Sequence, residues 1–252
     1  MRAFDSLFDS HLHIIEPGFP LVENQGYLPP TFSVNEYLNA MKPYPLSGGA
    51  VVSGSFQGFD QTYLIHVLKA LGPNYVGVAQ IPLDTSDREI LELHDHGVRA
   101  VRFNLKRGSK EQLKHLSSVA ARVFEIAGWH VELYIDSADL AALQKTLRHL
   151  PKVSIDHLGL NHEGLADLVK LAECGVKVKA TGFSRLNFPA QEAITAIYQA
   201  NPQALMFGSD LPSTRAPQPF SERDIDLLCQ CIEPSGLNNV LSANACSFYL
   251  GR

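Results

Sequence analysis

The chain has 252 residues, 45% of them hydrophobic and 19% charged, the make-up of a well-cored globular protein rather than a disordered or fibrous one. Its formal charge of −5, from 21 basic and 26 acidic residues, argues against nucleic acid or an anionic membrane as main partner but allows a small anionic substrate in a locally basic pocket. No apolar run approaches the roughly 18 residues of a membrane helix, the N-terminus has no hydrophobic signal core, and the four cysteines include no CxxC pair, so they read as reduced structural thiols of a cytoplasmic protein.

Strand candidates then alternate with amphipathic helices. SLFDSHLH (6–13) comes first, and strand alternation puts Asp9, His11 and His13 on one face, Phe8 and Leu12 on the other. The Pro- and Gly-rich stretch 14–33 reads as an irregular cap that shapes a substrate site. GGAVVSG (48–54), a helix stopped by glycine at 60–72, NYVGVAQI (74–81) and a Ser/Asp-capped helix at 86–97 follow. GVRAVRFNL (97–105) carries Arg102 and Asn104 on one face. A helix over 109–128 leads to HVELYID (130–136), whose His130, Glu132, Tyr134 and Asp136 oppose Val131, Leu133 and Ile135. Next come a helix over 137–150, KVSIDHL (152–158) with Asp156 and His157 near its end, a helix over 162–175, and VKVKATG (176–182) with Arg185 just beyond. A helix over 189–201, ALMFGSD (204–210) ending at Asp210, and helices near 221–232 and 242–250 complete the order.

Strand–helix alternation implies a parallel sheet, and eight such units imply one α/β domain over 1–252, a closed (β/α)8 TIM barrel. The rival doubly wound sheet would need a glycine-rich dinucleotide loop after the first strand, and none is there.

A barrel's active site lies at the C-terminal ends of its strands, and His11, His13, Arg102, Asn104, Tyr134, His157, Arg185 and Asp210 all fall there. Singly, each has an ordinary structural explanation: a strand-end Asp caps a helix, a His satisfies the core, Glu132 fills a layer as a salt bridge. Their convergence on one rim is what marks a site. His11, His13, His157 and Asp210 make a three-nitrogen, one-carboxylate set. It suits either one divalent ion, Zn²⁺ first among them, or metal-free work with imidazoles as donors to an oxyanion and Asp210 as general base.

With those residues in view, FDSHLH, DHLG (156–159), GSD-P (208–212) and NACSFY (244–249) resemble the amidohydrolase superfamily of (β/α)8 barrels. SGSFQGFDQTYLIHVL, GVRAVRFNL and TGFSRL further resemble its 2-pyrone-4,6-dicarboxylate lactonase group, over about residues 8–249. The resemblance implies hydrolysis of a cyclic ester bearing carboxylates or sugar hydroxyls. It implies Asp210 as activator of water and His11, His13 and His157 as groups that polarise the carbonyl. Arg102 and Arg185 would bind substrate carboxylates, with Tyr27 and Tyr134 as pocket tyrosines. Leu160 stands where the dicarboxylate enzyme carries an arginine, and Arg215 is placed to replace it from the next loop. Metal-bearing members draw a Lys, Glu or His from a middle strand; this reduced set resembles members that work without metal, although related lactonases with similar sets use zinc. A metal-dependent decarboxylase or a lactone isomerase of the same superfamily remains the alternative.

Overall fold

The computed structural model describes residues 4–108 and 110–252. Eight strands, β1 (Leu7–Leu12), β2 (Leu46–Val52), β3 (Tyr75–Ala79), β4 (Val98–Asn104), β5 (His130–Tyr134), β6 (Val153–Ile155), β7 (Lys177–Ala180) and β8 (Leu205–Phe207), form one parallel sheet in sequential order. Each coincides with one of the expected segments, and the architecture is the (β/α)8 barrel that the alternation implies.

Between β1 and β2 lies a helix that the apolar spacing did not single out, α1 (Val34–Met41). Its signal is the Ser33–Glu36 capping box, in which the Ser33 hydroxyl accepts from the Glu36 amide and the Glu36 carboxylate accepts from the Ser33 amide; Val34, Tyr37 and Met41 then face inward. The outer layer continues with α2 (Thr62–Leu71), α3 (Asp87–Asp95), α4 (Leu116–Ala127), α5 (Gln144–His149), α6 (Leu165–Glu173) and α7 (Ala190–Ala200). Ser109, the expected start of the helix before β5, lies outside the described residues. The helix expected over 137–150 is instead a 3₁₀ stretch, Ser137–Leu143, followed by the short α5. Its start is pinned in two ways. The Asp136 carboxylate caps the Ala138 amide, and Ser137 packs so tightly on Gly164 that a Cβ there would lie 2.0 Å from the Ser137 backbone.

After β8 come α8 (Glu222–Cys231), α9 (Pro234–Asn238), a π-helical turn over Asn239–Ala243, and α10 (Asn244–Leu250). The outward strand residues, among them Leu12, Val51, Leu133 and Val178, join the helices in the main core. A second cluster fills the lower lumen with Phe8, Ala50, Val52, Val76, Val78, Ala100 and Met206, and α10 closes the floor with Phe248 and Tyr249. Among the described residues no helix is long and apolar enough to cross a membrane, and the four cysteines are free thiols.

Candidate active site at the junction of β1 and β8

β1 does not keep strict alternation. From Asp9 to Leu12 it advances three residues while its partner β2 advances from Gly49 to Val51, the signature of a one-residue bulge. The bulge separates residues expected on one face. Phe8 turns into the lumen, and Asp9 turns the other way, where its carboxylate accepts from Tyr37 of α1 and from Ser209. Asp9 therefore does not share the site face with His11 and His13, because the extra residue reverses the pleat between them.

His11, His13, His157 and Asp210 do come together, all buried. The His11 ring centroid lies 5.0 Å from that of His13 and 4.8 Å from that of His157. Asp210 Oδ1 stands 3.9 Å from His11 Nε2 and 3.8 Å from His13 Nε2. His157 and Asp210 both adopt left-handed backbone, φ 52° and 61°, a costly conformation that clusters at functional sites. Gly182 makes room for them: a Cβ there would lie 2.8 Å from His157 Nδ1, 2.9 Å from Asp210 Oδ2 and 3.0 Å from the Arg185 side chain.

Burial keeps the three imidazoles neutral. It lowers His11 against the opposing pull of Asp156, and it lowers His13 and His157 well below the usual range, with Arg102 and Arg185 adding to the effect. Two tautomers follow from their partners. His13 Nδ1 meets the Val52 carbonyl at 2.6 Å and His157 Nδ1 meets the Thr181 carbonyl at 3.3 Å. A carbonyl only accepts, so both Nδ1 atoms carry the proton and both Nε2 atoms present a lone pair. His11 Nδ1 lies 3.4 Å from both Asp156 Oδ1 and Lys179 Nζ.

Among the described residues His11 Nε2 and Asp210 Oδ1 have no hydrogen-bond partner although neither reaches solvent. One ligand atom each from His11, His157 and Asp210 falls within 4.8 Å of the others. Orphaned donor atoms, bare imidazole nitrogens and backbone carbonyls behind them are the features of a divalent-cation site, so these residues fit such an ion. A second grouping, His11, Glu132 and Asp156, fits poorly, because the Lys179 ammonium already occupies Glu132.

Beneath the imidazoles runs a buried ionic column that the sequence reading only half caught. Lys179 of β7 is wholly buried and pairs with Glu132 of β5, which also takes a bond from Tyr249 Oη at 2.5 Å and one from His130 at 3.0 Å. The layer-filling salt bridge considered for Glu132 is thus present, and Lys179 is its cation. Arg102 donates through Nε to Asp156 Oδ2 at 3.0 Å, and its Nη2 lies 2.9 Å from the same oxygen in an ion pair. Burial pushes Asp156 up, but His11, Arg102 and Lys179 together hold it well below the ordinary carboxylate range. Lys179 was missed although its signal was there: Lys177, Lys179 and Thr181 alternate with Val178 and Ala180 as Glu132 alternates with its apolar neighbours.

Above the imidazoles opens a cavity of about 380 Å³ that includes its solvent-open side. Arg102, Asn104, Tyr134, Arg185 and Arg215 line it, as expected, and so does Arg107, which lies just past the strand end and escaped the strand-by-strand reading. Arg185 spends Nε on Asp210 Oδ2 at 2.7 Å and Nη2 on the Thr214 carbonyl at 2.8 Å. Asn104 accepts from the Arg107 amide at 3.1 Å. Tyr27 does not line the cavity; it lies under the Arg215 guanidinium, 4.4 Å from its ring centroid, and Arg215 also bonds the Asn24 carbonyl. The 14–33 stretch is thereby fastened over the rim, and Val22 adds a bond to the Phe56 carbonyl.

The amidohydrolase family model matches residues 8–249. The chain belongs to the amidohydrolase family. This amidohydrolase is 31% identical over 156 residues to the 2-pyrone-4,6-dicarboxylate hydrolase of Comamonas testosteroni, an alignment covering 60% of this chain and 51% of that protein. It thus spans about half of that relative's length. It is 27% identical over 238 residues to the 4-sulfomuconolactone hydrolase of Rhizobium radiobacter, covering 81% and 75%. A solved Pseudomonas putida structure, provisionally assigned as a 2-pyrone-4,6-dicarboxylic acid hydrolase, superposes with TM-score 0.84 at 26% identity over 97% of each chain. An Agrobacterium tumefaciens structure reaches the same TM-score at 19% identity, over 97% of this chain and 95% of that one, a likeness of fold alone.

Proposed function

We propose that this amidohydrolase hydrolyses a lactone ring on a small carboxylated substrate. The observation that carries the reading is the buried, unpartnered Asp210 Oδ1, which faces the imidazoles under a cavity lined by four guanidiniums. The Comamonas testosteroni and Rhizobium radiobacter relatives are each named for hydrolysis of an anionic lactone, which supports this reaction over decarboxylation or isomerisation.

Asp210 is the general base. Its Oδ2 is held by Arg185, which leaves Oδ1 to take a proton from water as the water oxygen bonds to the ring carbonyl carbon. The ring C–O bond then breaks, and the proton on Asp210 passes to the departing oxygen. Arg107 and Arg215 bind substrate carboxylate. Arg102 and Arg185, engaged with Asp156 and Asp210, add positive field and set the carboxylates' orientation. Tyr134, with its ring 5.1 Å from that of His157, walls the pocket with Asn104. His13 and His157 offer lone pairs rather than N–H donors, and burial opposes their protonation, so they suit a cation better than an oxyanion. A divalent ion held by His11, His157 and Asp210 would supply Lewis-acid polarisation of the carbonyl.

The test is ring opening of carboxylated and sugar lactones, with and without added Zn²⁺, followed by proton release. Asp210→Asn should lower kcat by on the order of 10²–10³-fold, or about 3–4 kcal/mol in the barrier. Near-full activity in that variant would remove Asp210 from the mechanism.

A further inference from the structure

Among the described residues the ladders run from β1–β2 through to β7–β8, and β8 has no ladder back to β1. The barrel is closed there by other means, and His11, His13 and Asp210 straddle that join. Two backbone bonds cross it, from the Asp210 amide to the His11 carbonyl and from the His13 amide to the Leu211 carbonyl, both 2.7 Å. One side chain adds further bonds at the join. Asp9 Oδ1 accepts from the Ser209 amide at 2.8 Å and the His11 amide at 3.2 Å; Oδ2 accepts from Ser209 Oγ at 2.6 Å and Tyr37 Oη at 3.2 Å. Ser209 Oγ then accepts from the Leu211 amide at 3.1 Å. Gly208 lets the strands meet this closely, since a Cβ there would lie 2.7 Å from His11 Cβ.

We propose that Asp9 is a positioning residue: its carboxylate replaces the missing β8–β1 ladder and fixes the turn that aims Asp210. Asp210 sits at φ 61°, and a left-handed aspartate persists only where its surroundings over-determine it. The residues on either side of it, Ser209 and Leu211, are held directly by Asp9 or through Ser209 Oγ. Asp9 is wholly buried and turned away from the mouth, so it reaches the chemistry only through Asp210 and His11. The bulge in β1 accounts for its direction, because without the extra residue Asp9 would face the lumen.

The catalytic part of this inference rests on the reading of Asp210 as base, so the experiment has two arms. Asp9→Asn and Ser209→Ala are compared with wild type and with Tyr198→Phe, which loses a 2.6 Å bond to Glu233 in the outer layer. In the first arm, amide exchange should be about 10–100-fold faster at Asp210 and His13 in both variants, with β3–β6 unchanged. Unchanged protection at those two amides, or equal acceleration in every strand, overturns the proposal. In the second arm, with 2-pyrone-4,6-dicarboxylate as probe, kcat should fall about 10–100-fold with KM within about twofold, while Tyr198→Phe keeps its kcat. Wild-type kcat in Ser209→Ala alongside a lowered melting temperature would mean Asp9 only holds the fold, and overturns it. Should wild type not open the probe, the lactonase reading fails on that substrate while the exchange arm still decides the role of Asp9. Should Asp9→Asn not fold, Ser209→Ala decides both arms.

Discussion

The lumen of this barrel has two unlike walls. Along β1 to β4 its lower part is lined by Phe8, Ala50, Val52, Val76, Val78 and Ala100, an apolar filling of the usual kind. Along β5 to β7 the inward face is polar to the floor: His130, Glu132 and Tyr134, then Ser154 and Asp156, then Lys179 and Thr181. The first wall is stabilised by water's exclusion and tolerates volume-conserving change. The second stands only while each charge keeps its partner, because an unpaired ion at zero exposure has neither solvent nor counter-charge. The reactive groups are thus held from below by an ionic framework, not by a greasy one.

Acid should act on the buried imidazoles and leave the apolar filling untouched, and this is the largest effect expected. His11, His13, His130 and His157 are all lowered by burial, His130 to about 4. Below about pH 6.5 the unfolded chain protonates these imidazoles and the folded chain does not, so the unfolded state binds more protons and stability falls as pH falls. Each imidazole contributes at most about 1.4 kcal/mol per pH unit. Asp9 opposes them: burial raises it to about 6, so between about 4 and 6 it is the folded state that holds the extra proton. With four groups against one, the melting temperature should drop steadily from pH 6.5 to 4; a flat profile would show that the imidazoles are charged in the fold.

Next in size is the effect of Lys179→Met on the polar wall. It strands Glu132 and should cost about 3–5 kcal/mol, read as a lower urea midpoint at unchanged slope. Adding Glu132→Leu should recover part of the loss, since the unpaired charge goes with it. If the single variant is as stable as wild type, the column is not what supports this wall. The smallest effect belongs to the mouth. Arg107→Ala should raise KM for a carboxylated lactone about 10–100-fold, the worth of a charge-assisted contact, with little change in the urea midpoint.

The two walls were also unequally legible in the sequence. Period-2 alternation exposes β5 and β7 plainly, and apolar runs with glycine stops expose the rest, so all eight strands fell where the pattern put them. The convergence of His11, His13, His157 and Asp210 followed from counting strand ends. Asp9 did not, because a bulge is a change of register that no single strand records; it appears only against Gly49 and Val51 of β2. Lys179 was readable but was passed over, since an inward lysine makes sense only once Glu132 is known to face it across the lumen. Arg107 sits in a turn, outside the rule that assigns faces.

The four guanidiniums at the mouth also give the molecule a direction. On a chain of net charge −5 they gather positive charge at one opening. An approaching anion is drawn toward that opening, so the field sorts encounters before any contact is made. At physiological ionic strength that guidance reaches about 8 Å, and adding salt shortens it. Capture of the substrate should therefore slow as salt rises, while the step that opens the ring keeps its own pace.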